Sequence, residues 1–304
     1  MEGFTVDPDE LGRFGPGTRA AVEAFQHRRG LRVDGICGPQ TWSVLVEAGY
    51  RLGRDRLLYL RSPMFRGDDV ADLQQRLSAL GFDSGRVDGI FGQATAVALA
   101  DFQRNMGLAV DGILGASTLR ELRRVAPRHS GPELVSAVRD RERLRVAPRT
   151  LDGRRIAIGE EGGLDVLVGA VRKRLAGAGA RVITLLSPTG SLQAAAANSA
   201  EVEVYVGLRL DPDRVSCSAA YYAGYSYESA GGRRLAELVH PRAAAALGVP
   251  SEGIRGMSLP ILRETRMPSV VCEIGPAATV VRETSRLADA IVDAFSAWVS
   301  SPPD

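Results

Sequence analysis

Two glutamates stand where an apolar segment runs into a glycine turn. Residues 156–163 read IAIGEEGG, so Glu160 and Glu161 directly follow a strand-like run. Asp211, in VGLRLDP, and Glu273, in PSVVCEIG, also follow or lie within apolar segments. The carboxyl ends of parallel strands meet at one edge of an open α/β sheet, so these four carboxylates could converge there. An oxygen-only cluster would suit Mg²⁺ or Ca²⁺ better than Zn²⁺.

A second interpretation makes the same residues an ion-paired group. Arg209 lies two residues before Asp211, and its guanidinium stays protonated at any relevant pH. An ion pair of Arg209 with Glu161 or Glu273 is therefore favoured over a metal cluster. Without a metal-bound water, Glu273 as a lone general base has no activated nucleophile to serve.

The elements that must position these residues alternate between strands and helices from residue 154 onwards. Strand-like segments cover 154–159, 181–187, 202–210, 217–227 and 268–275, and helical segments cover 164–179, 189–200, 228–248 (with a potential break at Pro241) and 282–299. In the last helix Leu287, Ile291, Phe295 and Trp298 share one face, which predicts that this face is buried. The alternation predicts a three-layer α/β domain.

The first third of the chain contains an internal repeat. FGPGTRAAVEAFQHRRGLRVDGICGPQTW, from Phe14, aligns without gaps with FGQATAVALADFQRNMGLAVDGILGASTL, from Phe91, and a further copy of the turn, VDGIFG, overlaps the start of the second stretch. Each Asp-Gly pair predicts a tight turn, because glycine adopts positive φ and aspartate bonds nearby backbone amides. The pairs are Asp34-Gly35, Asp88-Gly89 and Asp111-Gly112.

This pattern resembles the three-helix peptidoglycan-binding module of bacterial wall hydrolases. Residues 68–122 carry the whole pattern and residues 14–46 carry its later part. We therefore predict an incomplete module at 1–50, a complete one at 62–126, an Arg-rich linker at 127–152 and the α/β domain at 153–304. The predicted fold class is α plus α/β. The resemblance implies that the modules bind peptidoglycan fragments, with the six residues of the Asp-Gly turns in their loops.

Residues 153–299 resemble the zinc-dependent N-acetylmuramoyl-L-alanine amidases. That family binds zinc through a histidine in a DPGHGG-like turn, a glutamate farther along and a histidine in an SIHAN-like segment, and a glutamate in a late strand is the catalytic acid/base. By position, the first ligand falls on Glu161 and the third on Arg209, and the segment that carries the second is missing after Gly162-Gly163. Only Glu273, at the catalytic position, keeps its family identity. The resemblance thus implies no metal and no cofactor, with zinc expected only if the chain is a working amidase.

The remaining histidines and cysteines offer no replacement site. His27, His129 and His240 fall in a binding module, in the linker and in a helix predicted to lie at the surface. The three cysteines are widely separated and lack CxxC spacing, which predicts buried free thiols; they are Cys37, Cys217 and Cys272.

Charge and hydropathy indicate a soluble globular protein. The net charge of +2 is too small to argue for nucleic acid, and no apolar run approaches a membrane span. Residues 123–155 are dense in arginine, which favours a solvated linker, with a site for an anionic partner as the open alternative. The acidic N-terminus shows no signal peptide, so we expect a cytoplasmic protein, or an extracytoplasmic one if a signal lies upstream of Met1.

Taken together, these features resemble the cytoplasmic amidase-like regulators of peptidoglycan synthesis in actinobacteria, the CwlM type. The resemblance implies a non-catalytic protein that binds lipid-linked or soluble wall precursors or the enzymes that make them. Two alternatives stay open: an N-acetylmuramoyl-L-alanine amidase with a rearranged site, and an exported wall-binding protein.

Overall fold

The chain folds into two units, of which the N-terminal one is helical. The structure, a computed structural model, describes residues 12–125, 142, 144–224 and 227–300. Contacts divide the chain into two compact units, residues 1–139 with 225–227 and residues 140–224 with 228–304. The linker predicted at 127–152 lies largely outside the described residues. None of the helices within these described ranges is long and apolar enough to cross a membrane.

The N-terminal unit is helical, as the repeat predicts. Its described helices are α1 (Pro16–Arg28), α2 (Pro39–Gly49), α3 (Asp68–Ala79), α4 (Gln93–Asn105) and α5 (Ala116–Val125). Proline in the first turn of α1 and α2 fits a position whose N–H has no partner within the helix. The apolar stripe of α3 is fully buried and consists of Val70, Leu73 and Leu77. It packs in one core with Phe102 of α4 and with Phe91 in the loop before α4.

A buried glutamine holds each of the three Asp-Gly loops. The side-chain N–H₂ group of Gln103 donates to Asp111 Oδ1 (2.7 Å), Ile113 O (3.0 Å) and Thr118 Oγ1 (3.1 Å). Its Oε1 accepts from the N–H of Gly112 at 2.9 Å. Gln26 and Gln74 make the same four contacts in their own loops, at 2.8 to 3.1 Å. The three loops are therefore one structural motif used three times.

Each loop also needs glycine at its second position. The φ angles of Gly35, Gly89 and Gly112 are 69°, 70° and 68°, a region that glycine enters without the steric cost of a Cβ atom. The first copy of the repeat has a small core of Phe25, Leu31 and Ala48. Residues 1–11, on which the prediction of an incomplete first module depends, lie outside the described residues.

The C-terminal unit is an α/β domain with a six-stranded sheet. Its described elements, in chain order, are β1 (Arg155–Glu160), α6 (Asp165–Gly177), β2 (Arg181–Leu186), α7 (Gly190–Ser199), β3 (Val204–Leu210), β4 (Cys217–Tyr222), α8 (Ala230–Leu247), β5 (Ser251–Met257), α9 (Pro260–Glu264), β6 (Ser269–Ile274), α10 (Ala277–Arg282) and α11 (Thr284–Ser300). The strand order is β2-β1-β3-β6-β4-β5. Only the β4–β6 pair is antiparallel.

The sheet has helices on both faces, which confirms the three-layer prediction. The main core lies on the face covered by α6, α8 and α11, where alternate residues of each strand point inward. Leu287, Ile291, Phe295 and Trp298 of α11 are at most 2% exposed, as their spacing predicts. The other face carries α7, whose Gln193 contacts Tyr205 of β3. Residues of β1, β3 and β6 that do not enter the main core therefore belong to this second face.

Several local predictions are wrong. β5 lies at the sheet edge and was missed, because its sequence SEGIRGM has two glycines and no apolar alternation. The predicted break at Pro241 does not occur, since α8 continues to Leu247. His240 is not at the surface but 5% exposed, with Nε2 3.2 Å from both Cys217 O and Ser251 Oγ.

The cysteine prediction holds for two residues out of three. Cys217 and Cys272 are buried free thiols, and burial raises the pKa of Cys217 to about 12 and that of Cys272 well above its usual value. Cys37 is exposed instead, because it follows Ile36 at the tip of the first Asp-Gly loop, where the loop backbone bonds to Gln26 and leaves the side chains outside.

Candidate functional site

The predicted site residues meet at the carboxyl ends of β1, β3 and β6. Arg209 and Glu273 are direct neighbours in the parallel register of β3 and β6. Because Val206 and Leu208 point into the main core, the period-two alternation of the strand places Arg209 on the opposite face. The side chains of Arg209 and Glu273 are 33% and 23% exposed, so the site is half-buried rather than a free surface.

Arg209 binds both candidate glutamates. Its Nε and Nη2 donate to the two carboxylate oxygens of Glu161 at 2.9 and 2.7 Å, and its Nη1 donates to Glu273 Oε1 at 3.3 Å. Burial lowers the pKa of Arg209, but the hydrogen bonds and charges of the two glutamates outweigh that effect and raise it. The ion pairs of Arg209 with Glu161 and with Glu273, which the sequence favours, are both confirmed. Arg209 remains a cation.

A second arginine occupies the other oxygen of Glu273. Arg214, in the loop after β3, donates from Nη1 to Glu273 Oε2 at 2.8 Å. It also pairs with Glu252 of β5, and Ser216 Oγ donates to Glu252 Oε1 at 2.6 Å. Both oxygens of Glu273 thus accept from guanidinium groups. We call Glu161, Arg209, Arg214, Glu252 and Glu273 the ion-paired cluster.

The four-carboxylate metal cluster does not form. Glu160 is 4% exposed, and its Oε2 accepts from the backbone N–H groups of Gly162 and Leu164 at 3.2 and 3.0 Å. It therefore fixes the turn that leads into α6 and does not face Glu273. Asp211 Oδ1 accepts from the N–H of Asp213 at 3.4 Å, within its own loop. Among the described residues no group of three or more His, Cys, Asp and Glu side chains is placed to hold a metal ion.

Polar residues beneath the cluster fill the space next to β1. Tyr205 donates to Gln193 Oε1 at 2.6 Å, and Gln193 Nε2 donates to Glu160 O at 3.0 Å. A Cβ atom on Gly159 would lie 2.1 Å from both Gln193 Oε1 and the Tyr205 hydroxyl. Burial, followed by the charge of Glu161, raises the pKa of Tyr205. This layer leaves no room for a larger residue at position 159 and holds the end of β1 in place.

The residues predicted in the module loops belong to a separate region. Asp34, Asp88 and Asp111 each accept a hydrogen bond from the isoleucine N–H two residues later, at 2.8 Å. The backbone bond, followed by the glutamine side chain, lowers the pKa of Asp34 and of Asp111. These contacts give the aspartates a role in shaping the loops, and their binding role stays a prediction.

Sequence reasoning missed two parts of these sites. Gln26 and Gln103 occupy equivalent repeat positions, 8 residues before the turn aspartate, and the repeat could have identified them. Gln74 lies 14 residues before Asp88 and falls outside that alignment. Arg214 and Glu252 gave no such signal, because Glu252 lies in the missed strand β5.

The Glu252 pairing leads to a pH prediction. Hydrogen bonds from Arg214 first, then Ser216, lower the pKa of Glu252 below its usual 4.5. A carboxyl whose folded pKa is depressed contributes stability above its unfolded pKa and loses it as pH falls through the folded value. Urea unfolding should therefore show Glu252→Gln less stable than the wild type near neutral pH, with the difference shrinking below pH 4.5.

The control is Asp213→Asn, which removes an exposed carboxylate in the neighbouring loop. Among the described residues the Asp213 side chain forms no ion pair, so its substitution should change stability little at any of these pH values. A stability difference for Glu252→Gln that stays constant from neutral to acid would contradict the pairing.

Comparisons with known proteins agree with both units. The PG_binding_1 family, a peptidoglycan binding domain, matches residues 2–45 and 66–122. N-acetylmuramoyl-L-alanine amidase CwlM of Mycobacterium tuberculosis is 37% identical over 284 residues, which cover 84% of this chain and 70% of that protein. N-acetylmuramoyl-L-alanine amidase CwlL of Bacillus licheniformis is 34% identical over 125 residues, 35% of each chain.

Among solved structures, the N-acetylmuramyl-L-alanine amidase Ami1 of Mycobacterium smegmatis aligns at 17% identity and a TM-score of 0.43. The alignment covers 49% of this chain and 98% of that one.

Proposed function

Because the chain belongs to the family of amidase-like, peptidoglycan-binding proteins that includes CwlM of M. tuberculosis, we propose that it is a non-catalytic member. In this proposal it binds peptidoglycan fragments or wall precursors in the cytoplasm and regulates the enzymes that make them. The observation that carries the proposal is the position of Arg209, whose guanidinium holds Glu161 and Glu273 together.

The residues present do not fit zinc. Catalytic zinc sites use three protein ligands and leave a fourth position open for water, whereas here a guanidinium lies between the two glutamates. A unit positive charge about 4 Å from a divalent ion costs about 8 kcal/mol at an effective dielectric of about 20. That cost offsets much of the roughly 10–16 kcal/mol with which structural sites bind zinc.

Glu273, at the position of the amidase acid/base, is also held by ion pairs. A general base must accept a proton from a nucleophile within hydrogen-bond reach. Both oxygens of Glu273 already accept from arginines, Oε1 from Arg209 and Oε2 from Arg214. In this arrangement the carboxylate serves the ion-paired cluster. Its conversion to a base would require both pairs to open.

The test measures metal content and cleavage on the same preparation. We expect dialysed full-length protein to contain far less than one zinc per chain, and we expect no cleavage of muropeptides between N-acetylmuramic acid and L-alanine, with or without added zinc. Glu273→Ala should leave this absence of turnover unchanged, while soluble muropeptide should still bind saturably. Stoichiometric zinc, or cleavage that Glu273→Ala abolishes, would establish the rearranged amidase instead.

A gain-of-ligand variant makes the test stricter. Glu161→His with Arg209→His restores the two histidine positions of the zinc amidases, yet α6 begins at Asp165, directly after the Gly162-Gly163 turn. The segment that would carry the second ligand, a glutamate, is absent from that connection, so the double variant should not gain activity. Metal-dependent cleavage by this variant would show that the loss of function lies in positions 161 and 209 and not in the missing segment.

A further inference from the structure

A cavity lies at the amino ends of the strands, away from the ion-paired cluster. Its volume is about 470 Å³, and its walls come from segments that enter β1, β3 and β6. This volume is within the range of small-molecule sites, about 300–1,000 Å³. β1, β3 and β6 run parallel, so the cavity lies at the amino ends of these strands and the ion-paired cluster lies at their carboxyl ends. The distance between the two is roughly 16–20 Å, because a strand of about six residues rises about 3.3 Å per residue.

One wall holds a buried arginine with an unused donor. The side chain of Arg154 is 6% exposed and pairs through Nη1 with Glu203. Its Nε has no hydrogen-bond partner among the residues that the structure describes. Buried polar groups in folded proteins nearly always find a partner, and a buried guanidinium rarely leaves a donor unused. Because protein atoms cover this Nε, Arg154 adds positive charge to this wall of the cavity and does not contact a ligand through Nε.

The charges around the cavity do not cancel. Glu203 binds Arg154, and Glu201 accepts from Arg155 Nη1 at 3.2 Å. The third arginine of the lining, Arg266, is held through its backbone N–H, which donates to Asn198 Oδ1 at 2.9 Å. In the part of the chain that the structure describes, its exposed side chain makes no ion pair or hydrogen bond. Among the described lining residues, three arginines against two glutamates leave one positive charge.

The remaining walls are apolar. Leu144, Ala147, Val202, Met267 and Pro268 line the cavity beside the arginines. Guanidinium groups bind carboxylates and phosphates through paired N–H donors, and apolar walls favour a compact hydrocarbon body. The Arg-rich stretch 123–155, for which an anionic partner stays an open alternative, ends in Arg154 and Arg155.

We propose that this cavity is a second binding site, which takes a small ligand with one oxyanion group on an apolar body. The oxyanion group binds at Arg266, with the charges of Arg154 and Arg155 nearby, and the apolar body lies against Leu144 and Met267. The site is independent of the proposed function, since no residue of the ion-paired cluster lines it.

Benzoate, phenyl phosphate and the uncharged benzamide test this proposal on the full-length protein, by calorimetry and ligand-observed NMR. We expect saturable binding of at least one anion and at least tenfold weaker binding of benzamide. Preference for benzoate or for phenyl phosphate identifies a carboxylate or a phosphate ligand. Arg266→Gln should weaken anion binding at least fivefold, and Ala147→Trp, which fills the cavity, should abolish it.

The matched control is Arg172→Gln, an exposed arginine of α6 outside the cavity, which should leave binding unchanged. Circular dichroism confirms that each variant is folded. The proposal is overturned if neither anion saturates, if benzamide binds as tightly as benzoate, if Ala147→Trp binds like the wild type, or if Arg172→Gln weakens binding as much as Arg266→Gln.

Discussion

Gln103→Leu should lower the free energy of unfolding of the N-terminal unit by about 2–4 kcal/mol. The side chain is 0% exposed and makes four hydrogen bonds, one of them to the charged Asp111. Each such bond contributes about 1 kcal/mol net, and an N–H left unpaired, as that of Gly112 would be, costs about 1–3 kcal/mol. Leucine has a similar size, so the effect reports the hydrogen bonds rather than a cavity.

Urea unfolding of the full chain, followed by circular dichroism, measures this effect. Gln93→Leu is the matched control, because Gln93 is an exposed residue of α4, the same helix, and its substitution should change stability by less than about 0.5 kcal/mol. Gln74→Leu should match Gln103→Leu, since the two side chains make equivalent contacts. A loss for Gln103→Leu no larger than that of the control would show that the loops do not depend on the glutamine.

Arg209→Met should lower the free energy of unfolding of the α/β domain by about 2 kcal/mol. Removal of one partner of a buried ion pair typically costs about 3–5 kcal/mol, and the partial exposure of this site reduces the effect. Glu161 would lose its described partner and lie near Glu273 without an intervening cation, whereas Glu273 would keep Arg214.

A neutral triple variant separates charge imbalance from loss of packing. In Glu161→Gln/Arg209→Met/Glu273→Gln no unpaired carboxylate remains at Arg209, so most of the lost stability should return. If the triple variant is less stable than Arg209→Met alone, the cost comes from packing and the ion-paired cluster is not what stabilises this edge of the sheet. The comparison uses urea unfolding at neutral pH.

Periodicity and repeats predicted the parts of the structure that depend on local pattern. The spacing of Leu287, Ile291, Phe295 and Trp298 fixed the buried face of α11, and the VDG repeats located the three loops. Edge strand β5 was not predicted, because a strand with little buried surface needs no apolar alternation. His240 was misplaced because a single polar residue does not reveal which face of α8 is covered.

The candidate site was predicted in part. The positions of Glu161, Arg209 and Glu273 relative to one strand edge follow from the order of elements, and their mutual pairing follows from charge. Arg214 and Glu252 could not be found in this way, because their approach depends on β4 returning antiparallel beside β6. Whether Glu160 faces the site or its own loop is decided by two backbone N–H groups, which no side-chain pattern reveals.

Helix α4 takes part in two copies of the Asp-Gly loop motif, one with α3 and one with α5. Thr95, in the first turn of α4, accepts from Gln74 of the preceding helix, and Gln103, in its last turn, donates to Thr118 of the following one. Such a helix carries a threonine acceptor near its N-terminus and a glutamine donor near its C-terminus. Successive helices can therefore be joined by the same hydrogen bond each time. Duplication in such a module adds one helix and one loop at a time. The Gln–Thr hydrogen bond between successive helices stays the same at each step.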